Sequence, residues 1–295
     1  MPMNPSPAPS LAEQLALYWR LMRFDRPIGI YLLLWPTLWA LWLAAGGLPP
    51  LPVLLVFVLG TVLMRAAGCV VNDLADRDFD PHVARTASRP IAAGLVAPQQ
   101  AIRLAVVLAL IAFGLTASLH NVPVLYWSVP AVAIATIYPF MKRYISVPQA
   151  VLGLAFSWGI PMAYQAVQQR VPLLEAGLLM AANFCWVVAY DTYYAMADRD
   201  DDLKIGVKSS AIFFGRYDRA AVIALQLLAL GLLLTVGLLR DLAWPYAAGL
   251  AAALVTVLHQ AWITRDRIPA VCFQAFLSNN RFGALVFVGL LLALR

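Results

Sequence analysis

The chain has 295 residues, 62% of them hydrophobic and 12% charged, with a formal net charge of +6. A soluble domain carries roughly 25% charged residues, so this composition excludes a water-soluble globule and points to an integral membrane protein. The basic residues are scattered among loops and form no single stripe, which excludes nucleic acid as a partner and leaves anionic lipid headgroups or an anionic substrate.

In chain order, residues 1–10 are Pro-rich and hold no Lys or Arg. They read as a short disordered lead, without the basic n-region of a secretory signal or the arginines of a transit peptide. Residues 11–23 have helical periodicity with Tyr18 and Trp19 and read as an interfacial helix. Apolar runs follow at 28–45, 51–71, 101–119, 122–140, 147–167, 173–194, 220–239, 242–263 and 271–292. Each approaches the twenty residues that a spanning helix needs, whereas a barrel strand would alternate over about ten. Pro36 is expected to kink the first run. The expectation is an all-α, polytopic membrane protein with nine transmembrane helices in a single domain over 1–295. Cys69, Cys185 and Cys272 are too few and too apolar in setting for a disulfide framework or a zinc site and read as small core residues.

Lys and Arg are unevenly placed. Sixteen of the 21 fall on one set of loops, three on the other, and two, Arg65 and Arg281, inside spans. By the positive-inside rule this asymmetry puts the N-terminus in the cytoplasm and requires an odd number of spans. It also puts both acidic clusters of the chain on the cytoplasmic face.

Those clusters hold nine of the 15 acidic residues. The first is Asp73, Asp76, Asp78 and Asp80; the second is Asp191, Asp198, Asp200, Asp201 and Asp202. The stretches Leu74 to Asp80 and Met196 to Asp202 both read x-A-D-R-D-x-D, 122 positions apart, which hints at two equivalent halves. On a helix, Asn72, Asp76 and Asp80 share one face with Asp73 beside them, and Asp191, Asp198 and Asp202 share another. Hard oxygen ligands of this kind suit Mg²⁺, which takes one or two carboxylates plus phosphate oxygens and water. His82, His120 and His259 are dispersed and make no zinc spacing. The metal ligands expected are therefore Asn72, Asp73, Asp76, Asp80, Asp198 and Asp202. With Arg85, Lys204 and Lys208 nearby, the pair of clusters suits a diphosphate held through Mg²⁺. A pair of solvated acidic loops neutralised by arginines is the bland alternative. Asp78, Asp200 and Asp201 lie off the proposed faces and read as solvated.

Arg65 precedes Asn72 by seven residues, as Asp191 precedes Asp198, so each lies roughly 10 Å deeper than its cluster. They are expected to form the inner wall of one site near an acceptor, or else a structural ion pair. Lys142 and Arg143 end a span and can be simple positive-inside anchors. Asn279, Asn280 and Arg281 are polar for a span and read as caps or glue between helices.

The stretches Arg23-Phe24-Asp25-Arg26-Pro27-Ile28-Gly29, Gly68 through Asp76, Arg85-Thr86-Ala87-Ser88-Arg89-Pro90, Tyr138-Pro139-Phe140-Met141-Lys142-Arg143 and Tyr190-Asp191-Thr192 through Gly206 resemble the UbiA superfamily of intramembrane prenyltransferases. The resemblance runs from about Arg23 to Asn280, and the N-D-x-x-D-x-x-x-D and D-x-x-x-D motifs carry it. The Arg-Phe-Asp-Arg-Pro-Ile-Gly and Tyr-Pro-Phe-Met-Lys-Arg stretches favour the branch that prenylates 4-hydroxybenzoate for ubiquinone. It implies nine helices around a central cavity open to lipid, a cytoplasmic cap, Mg²⁺ dependence and residence in the cell inner membrane. It further implies that Lys142 and Arg143 bind substrate, and that polyprenyl diphosphate, 4-hydroxybenzoate and membrane lipid are the partners. Asp191 and Arg143 are the expected catalytic residues; Arg65, Arg85, Lys142, Arg143, Tyr194, Lys204 and Lys208 are expected to bind substrate. Another aromatic acceptor, or a secondary transporter with midplane charges, stays open at this point.

Overall fold

A computed structural model of the protein describes residues 10–82 and 86–295. The lead at 1–9 and Arg85 lie outside the described residues. Every regular element among those described is helical. In order they are α1 (Leu11–Leu21), α2 (Ile28–Ala45), α3 (Leu51–Ala75), α4 (Pro98–Ala117), α5 (Val122–Met141), α6 (Gln149–Ser157), α7 (Gly159–Gln168), α8 (Leu173–Ile205), α9 (Ser210–Phe214), α10 (Asp218–Leu239), α11 (Trp244–Ile263) and α12 (Pro269–Ala293). Taking α6 with α7 and α9 with α10, nine helices among the described residues are long and apolar enough to cross a membrane.

Local chemistry sets the ends. Ser10 and Glu13 close a capping box on α1: Ser10 N–H donates to Glu13 Oε2 at 2.7 Å, and Glu13 N–H to Ser10 Oγ at 3.3 Å. Pro52, Pro98, Pro123, Pro245 and Pro269 sit in first turns, where a missing N–H is harmless. Gly46 (φ +65°) and Gly206 (φ +72°) end α2 and α8 in the left-handed conformation that glycine adopts at little cost.

Two elements differ from the sequence expectation. The run at 147–167 is broken at Trp158. Pro161 has no N–H to give Ser157, and Trp158 N–H turns back to Ala155 O. The run at 173–194 continues to Ile205. At 33 residues α8 is roughly 50 Å long, well beyond the ~30 Å hydrocarbon core. Its last three turns carry Asp198, Asp200, Asp201 and Asp202 beyond that length, with Asp191 further in.

Packing relies on close backbone approach and polar glue. A Cβ on Gly249 would sit 2.7 Å from Leu285 O and 2.9 Å from Gly289 Cα, so α11 and α12 touch through backbone. Asn279 Oδ1 accepts from Trp186 Nε1 at 2.9 Å, and Asn280 Oδ1 from Trp35 Nε1 at 2.8 Å. These bonds tie α12 to α8 and α2, the gluing expected of the two asparagines. Gln226 and Gln260 extend the net to α10 and α11. Cys69, Cys185 and Cys272 are free and buried.

Valine at Gly249 should force α11 from α12 and cost about 1–3 kcal/mol. Temperature-resolved size-exclusion chromatography of the tagged protein should show a lower Tm. Gly231→Ala, where nothing lies within 4 Å of the added carbon, should leave Tm unchanged or slightly raised.

Candidate active site

A cavity of about 530 Å³ runs from the acidic end of the bundle inward between α2, α3, α4, α5, α6, α7 and α8. Asn72, Asp76, Asp80, Asp198 and Asp202 line its polar end; Arg65, Tyr138, Tyr190 and Asp191 line its deeper part. Phe113 on α4 and Val132 on α5 both line the cavity and are exposed on the outer surface (51% and 42%). The cavity therefore reaches the outer surface between these two helices.

The first cluster is built differently from its sequence pattern. The helix stops at Ala75, and Asp76 takes the cap with φ −94° and ψ 1°. Asp80 is thus not on the face of Asn72 and Asp76. It returns to the cavity through a turn in which Phe79 N–H and Asp80 N–H both donate to Asp76 O at 2.8 Å. Nothing apolar at 76–80 recurs at helical spacing to hold a further turn.

Asp76 Oδ2 pairs with Lys142 Nζ at 2.5 Å and accepts from Asn72 Nδ2 at 3.2 Å. Its Oδ1 is buried and has no hydrogen-bond partner among the described residues. Asp73, expected among the ligands, lines the cavity and is held by two arginines. Arg23 Nη2 donates to both of its oxygens, at 2.8 and 2.9 Å, and Arg89 Nη1 lies 3.2 Å from Oδ1. Arg23 reaches it from a left-handed backbone (φ +61°), a strain that a buried charge pair can hold. Arg89 Nη1 also pairs with Asp80 Oδ2 at 2.8 Å. Burial raises the Asp80 pKa above the ordinary carboxylate value, and Arg89 opposes that rise.

The second cluster matches its expectation. Asp191, Asp198 and Asp202 lie on one face of continuous helix and all line the cavity. Asp78 and Asp200 are exposed, and Asp201 pairs with Lys204 at 3.0 Å. Among the described residues no three His, Cys, Asp or Glu converge to hold an ion by themselves. An ion between the clusters would need further oxygens from a ligand or water, which is the habit of Mg²⁺.

The basic residues divide. Lys142 and Lys208 line the cavity; Lys208 Nζ also donates to Tyr144 O at 2.9 Å. Lys204 is exposed and away from the cavity, drawn off by Asp201. Arg143 also fails to reach it. Its guanidinium donates to Ala75 O at the end of α3 and lies over the Phe79 and Phe140 rings, 5.0 and 5.6 Å from their centroids. A free carbonyl at a helix C-terminus is a strong draw for a cation, so Arg143 holds up the first motif from behind. Tyr194 lines the cavity and meets Phe276 edge-on at 5.0 Å.

Deeper in, Arg65 Nε is buried without a partner among the described residues. Gly29 makes the room: a Cβ there would overlap the guanidinium. Arg65 lies within electrostatic reach of Asp191, Tyr138 and Tyr190, yet no ion pair within 4.0 Å joins it to Asp191 among the described residues. The two opposite charges face a shared space, as their matched depth suggests.

A profile of the UbiA prenyltransferase family matches residues 33–288. The chain belongs to this family. A 4-hydroxybenzoate octaprenyltransferase of Aeromonas salmonicida is 56% identical over 280 residues, covering 95% of this chain and 96% of that protein. The apo structure of a UbiA homolog from Aeropyrum pernix K1 superposes with a TM-score of 0.76 at 25% identity, over 88% of this chain and 97% of that one. A UbiA homolog from Archaeoglobus fulgidus, solved bound to GPP and Mg²⁺, gives a TM-score of 0.70 at 17% identity, over 92% and 99%. Within this UbiA fold, sequence reasoning passed over Arg23, Arg89, Gly29 and Gln149 as residues lining the cavity. The first three lie inside stretches that carry the family resemblance, so the signal was present without a role.

The two aspartates of the first motif should separate experimentally. Asp73→Asn breaks a buried ion cluster and should cost about 3–5 kcal/mol of stability, seen as a lower Tm with no ligand added. Asp76→Asn should lower Tm much less, but should abolish the rise in Tm on adding Mg²⁺ with inorganic diphosphate.

Proposed function

We propose that the chain transfers a polyprenyl group from polyprenyl diphosphate to the ring of 4-hydroxybenzoate, at the carbon beside the hydroxyl, as a step toward ubiquinone. The observation that carries the reading is one cavity with three environments in sequence: two facing acidic motifs, then an Arg65 and Asp191 pair held apart, then an apolar passage to lipid. The 56% identity to the Aeromonas salmonicida octaprenyltransferase supports the same acceptor.

The donor set fits Mg²⁺. Asn72, Asp76, Asp80, Asp198 and Asp202 offer oxygens from two sides, and Asp76 Oδ1 is buried without a partner among the described residues. When bound, the ion supplies positive charge to the departing diphosphate. Lys142 and Lys208 add charge from the chain itself, at the same end. Arg23 and Arg89 hold Asp73 and Asp80 in place, which fixes the turn that presents the first motif.

Ionisation breaks the C–O bond of the donor and leaves its electron pair on diphosphate. The resulting allylic cation lies among Tyr194, Phe276 and Tyr190, whose ring faces stabilise a cation while the apolar wall excludes water. The ring carbon beside the hydroxyl-bearing carbon attacks, a C–C bond forms, and the ring proton passes to the diphosphate released by ionisation. 4-Hydroxybenzoate carries a carboxylate and a phenol at opposite ends. Arg65 takes the carboxylate, and Asp191 accepts the hydrogen bond of the phenol, pushing electron density into the ring. Arg143 takes no part in holding the acceptor. The positive-inside asymmetry supports the reading that this mouth opens on the cytoplasmic side of the inner membrane.

Isolated membranes given 4-hydroxybenzoate and labelled polyprenyl diphosphate should yield a prenylated acid with Mg²⁺ and none with EDTA. Asp76→Ala and Asp198→Ala should abolish that product. Product from a different aromatic only would move the acceptor and keep the site, and flux across sealed vesicles without a new covalent product would replace the reaction by transport.

Asp191→Asn should lower kcat by roughly a hundredfold, while Arg65→Lys should raise KM for the acceptor and leave donor binding in place. Steady-state kinetics on detergent-solubilised enzyme separates the two, and an Asp191→Asn enzyme with full turnover would remove Asp191 from its role.

A further inference from the structure

Gln149 opens α6, is buried, and lines the cavity. Ser210 backbone N–H donates to its Oε1 at 2.9 Å. That bond settles which end of the carboxamide is which, because a backbone N–H can only meet the oxygen. The amide nitrogen is thereby turned the other way, toward the Asp191 carboxylate on the same cavity wall.

Ser210 is not an arbitrary anchor. Its hydroxyl and that of Thr192 are hydrogen-bonded at 2.7 Å, and Thr192 is the chain neighbour of Asp191 on α8. Thr192 Oγ1 in turn donates to Val188 O at 2.6 Å. Ser210 also follows Lys208 and Ser209, both of which line the cavity at its acidic end. The same loop is stitched to the end of α5 through Lys208 N–H and Lys142 O at 3.1 Å. One short segment thus touches the place where a diphosphate would sit and, through one buried carboxamide, the carboxylate deeper in the cavity.

We propose that Gln149 is a positioning residue that couples an anionic diphosphate on the Lys208–Ser209 loop to the orientation of Asp191 toward the phenolic acceptor. It rests on the prenyl-transfer reading above. Diphosphate settling on the loop fixes Ser210, Ser210 fixes the carboxamide, and the carboxamide holds one oxygen of Asp191 so that the other faces the phenol. The acceptor then binds productively only once the donor is in place.

The test uses the full-length enzyme in detergent, with 4-hydroxybenzoate binding measured by calorimetry, with and without Mg²⁺ plus inorganic diphosphate. The wild type should bind the acceptor roughly fivefold tighter with diphosphate present, within the usual range of such couplings. Gln149→Glu keeps the length and the acceptor for Ser210 N–H but sets a like charge against Asp191. Gln149→Leu removes the carboxamide, and with it the bond to Ser210 N–H. Both variants should bind the acceptor equally with and without diphosphate. In turnover assays Gln149→Glu should lower kcat roughly tenfold or more while KM for the donor stays within about twofold. In an Asp191→Asn background the same change should cost nothing further.

Wild-type affinity that ignores diphosphate overturns the proposal, as does a Gln149→Glu enzyme with normal coupling and kcat. A Gln149→Glu protein that elutes as aggregate while Gln149→Leu keeps full coupling overturns it in favour of plain core packing. A wild-type enzyme that binds and prenylates no phenolic acid overturns the reaction itself, and with it the coupling.

Discussion

A carboxylate taken into an apolar bundle must meet a cation or a donor, and that constraint organises the molecule from end to end. Asp218 is fully buried and held by Arg267 at 2.8 Å and Arg199 at 3.4 Å. At the opposite end of α8, Glu175 meets Tyr164 at 2.6 Å and Arg240 at 3.4 Å. Asp73 takes Arg23 and Arg89. Each of these bonds joins two separate elements, so charge compensation doubles as a clamp between them. The cavity is where compensation is incomplete. Asp76 Oδ1 and Arg65 Nε are buried there without partners among the described residues, an arrangement that a ligand can complete.

Much of this is legible in the sequence, for reasons that can be stated residue by residue. Nine spans follow from runs of apolar residues because only helices satisfy their own backbone in lipid. The second motif is legible as one face because α8 never leaves helical geometry between Asp191 and Asp202. The first motif fails the same test. Asn72 and Asp76 share a face, but the chain turns at Asp76, and Asp80 reaches the cavity only through tertiary structure. Spacing alone has no way to tell these cases apart.

Side-chain roles are harder still. Asp73 sits beside its motif in sequence and still belongs to Arg23, fifty residues earlier. Arg143 lies beside Lys142 just past the end of α5, yet one enters the cavity and the other caps α3, because the turn there sends the two side chains apart. Lys204 is lost to Asp201, one turn away on the same helix. Gln149 and Gly29 carry no charge pattern at all, and only their neighbours in space give them meaning. What sequence conveys well is which residues are too costly to bury without a reason. What it conveys poorly is which of several cations meets which acid.

The gap between Phe113 and Val132 sets how the molecule must trade with its surroundings. A space of about 530 Å³ takes an aromatic acid and the first isoprene units, and no more of a long lipid. The remaining tail must lie among acyl chains while the reaction proceeds at its head. Chain length then has little grip on recognition, because most of each additional unit is solvated by bilayer and not by protein. The lengthened product need never cross water to depart.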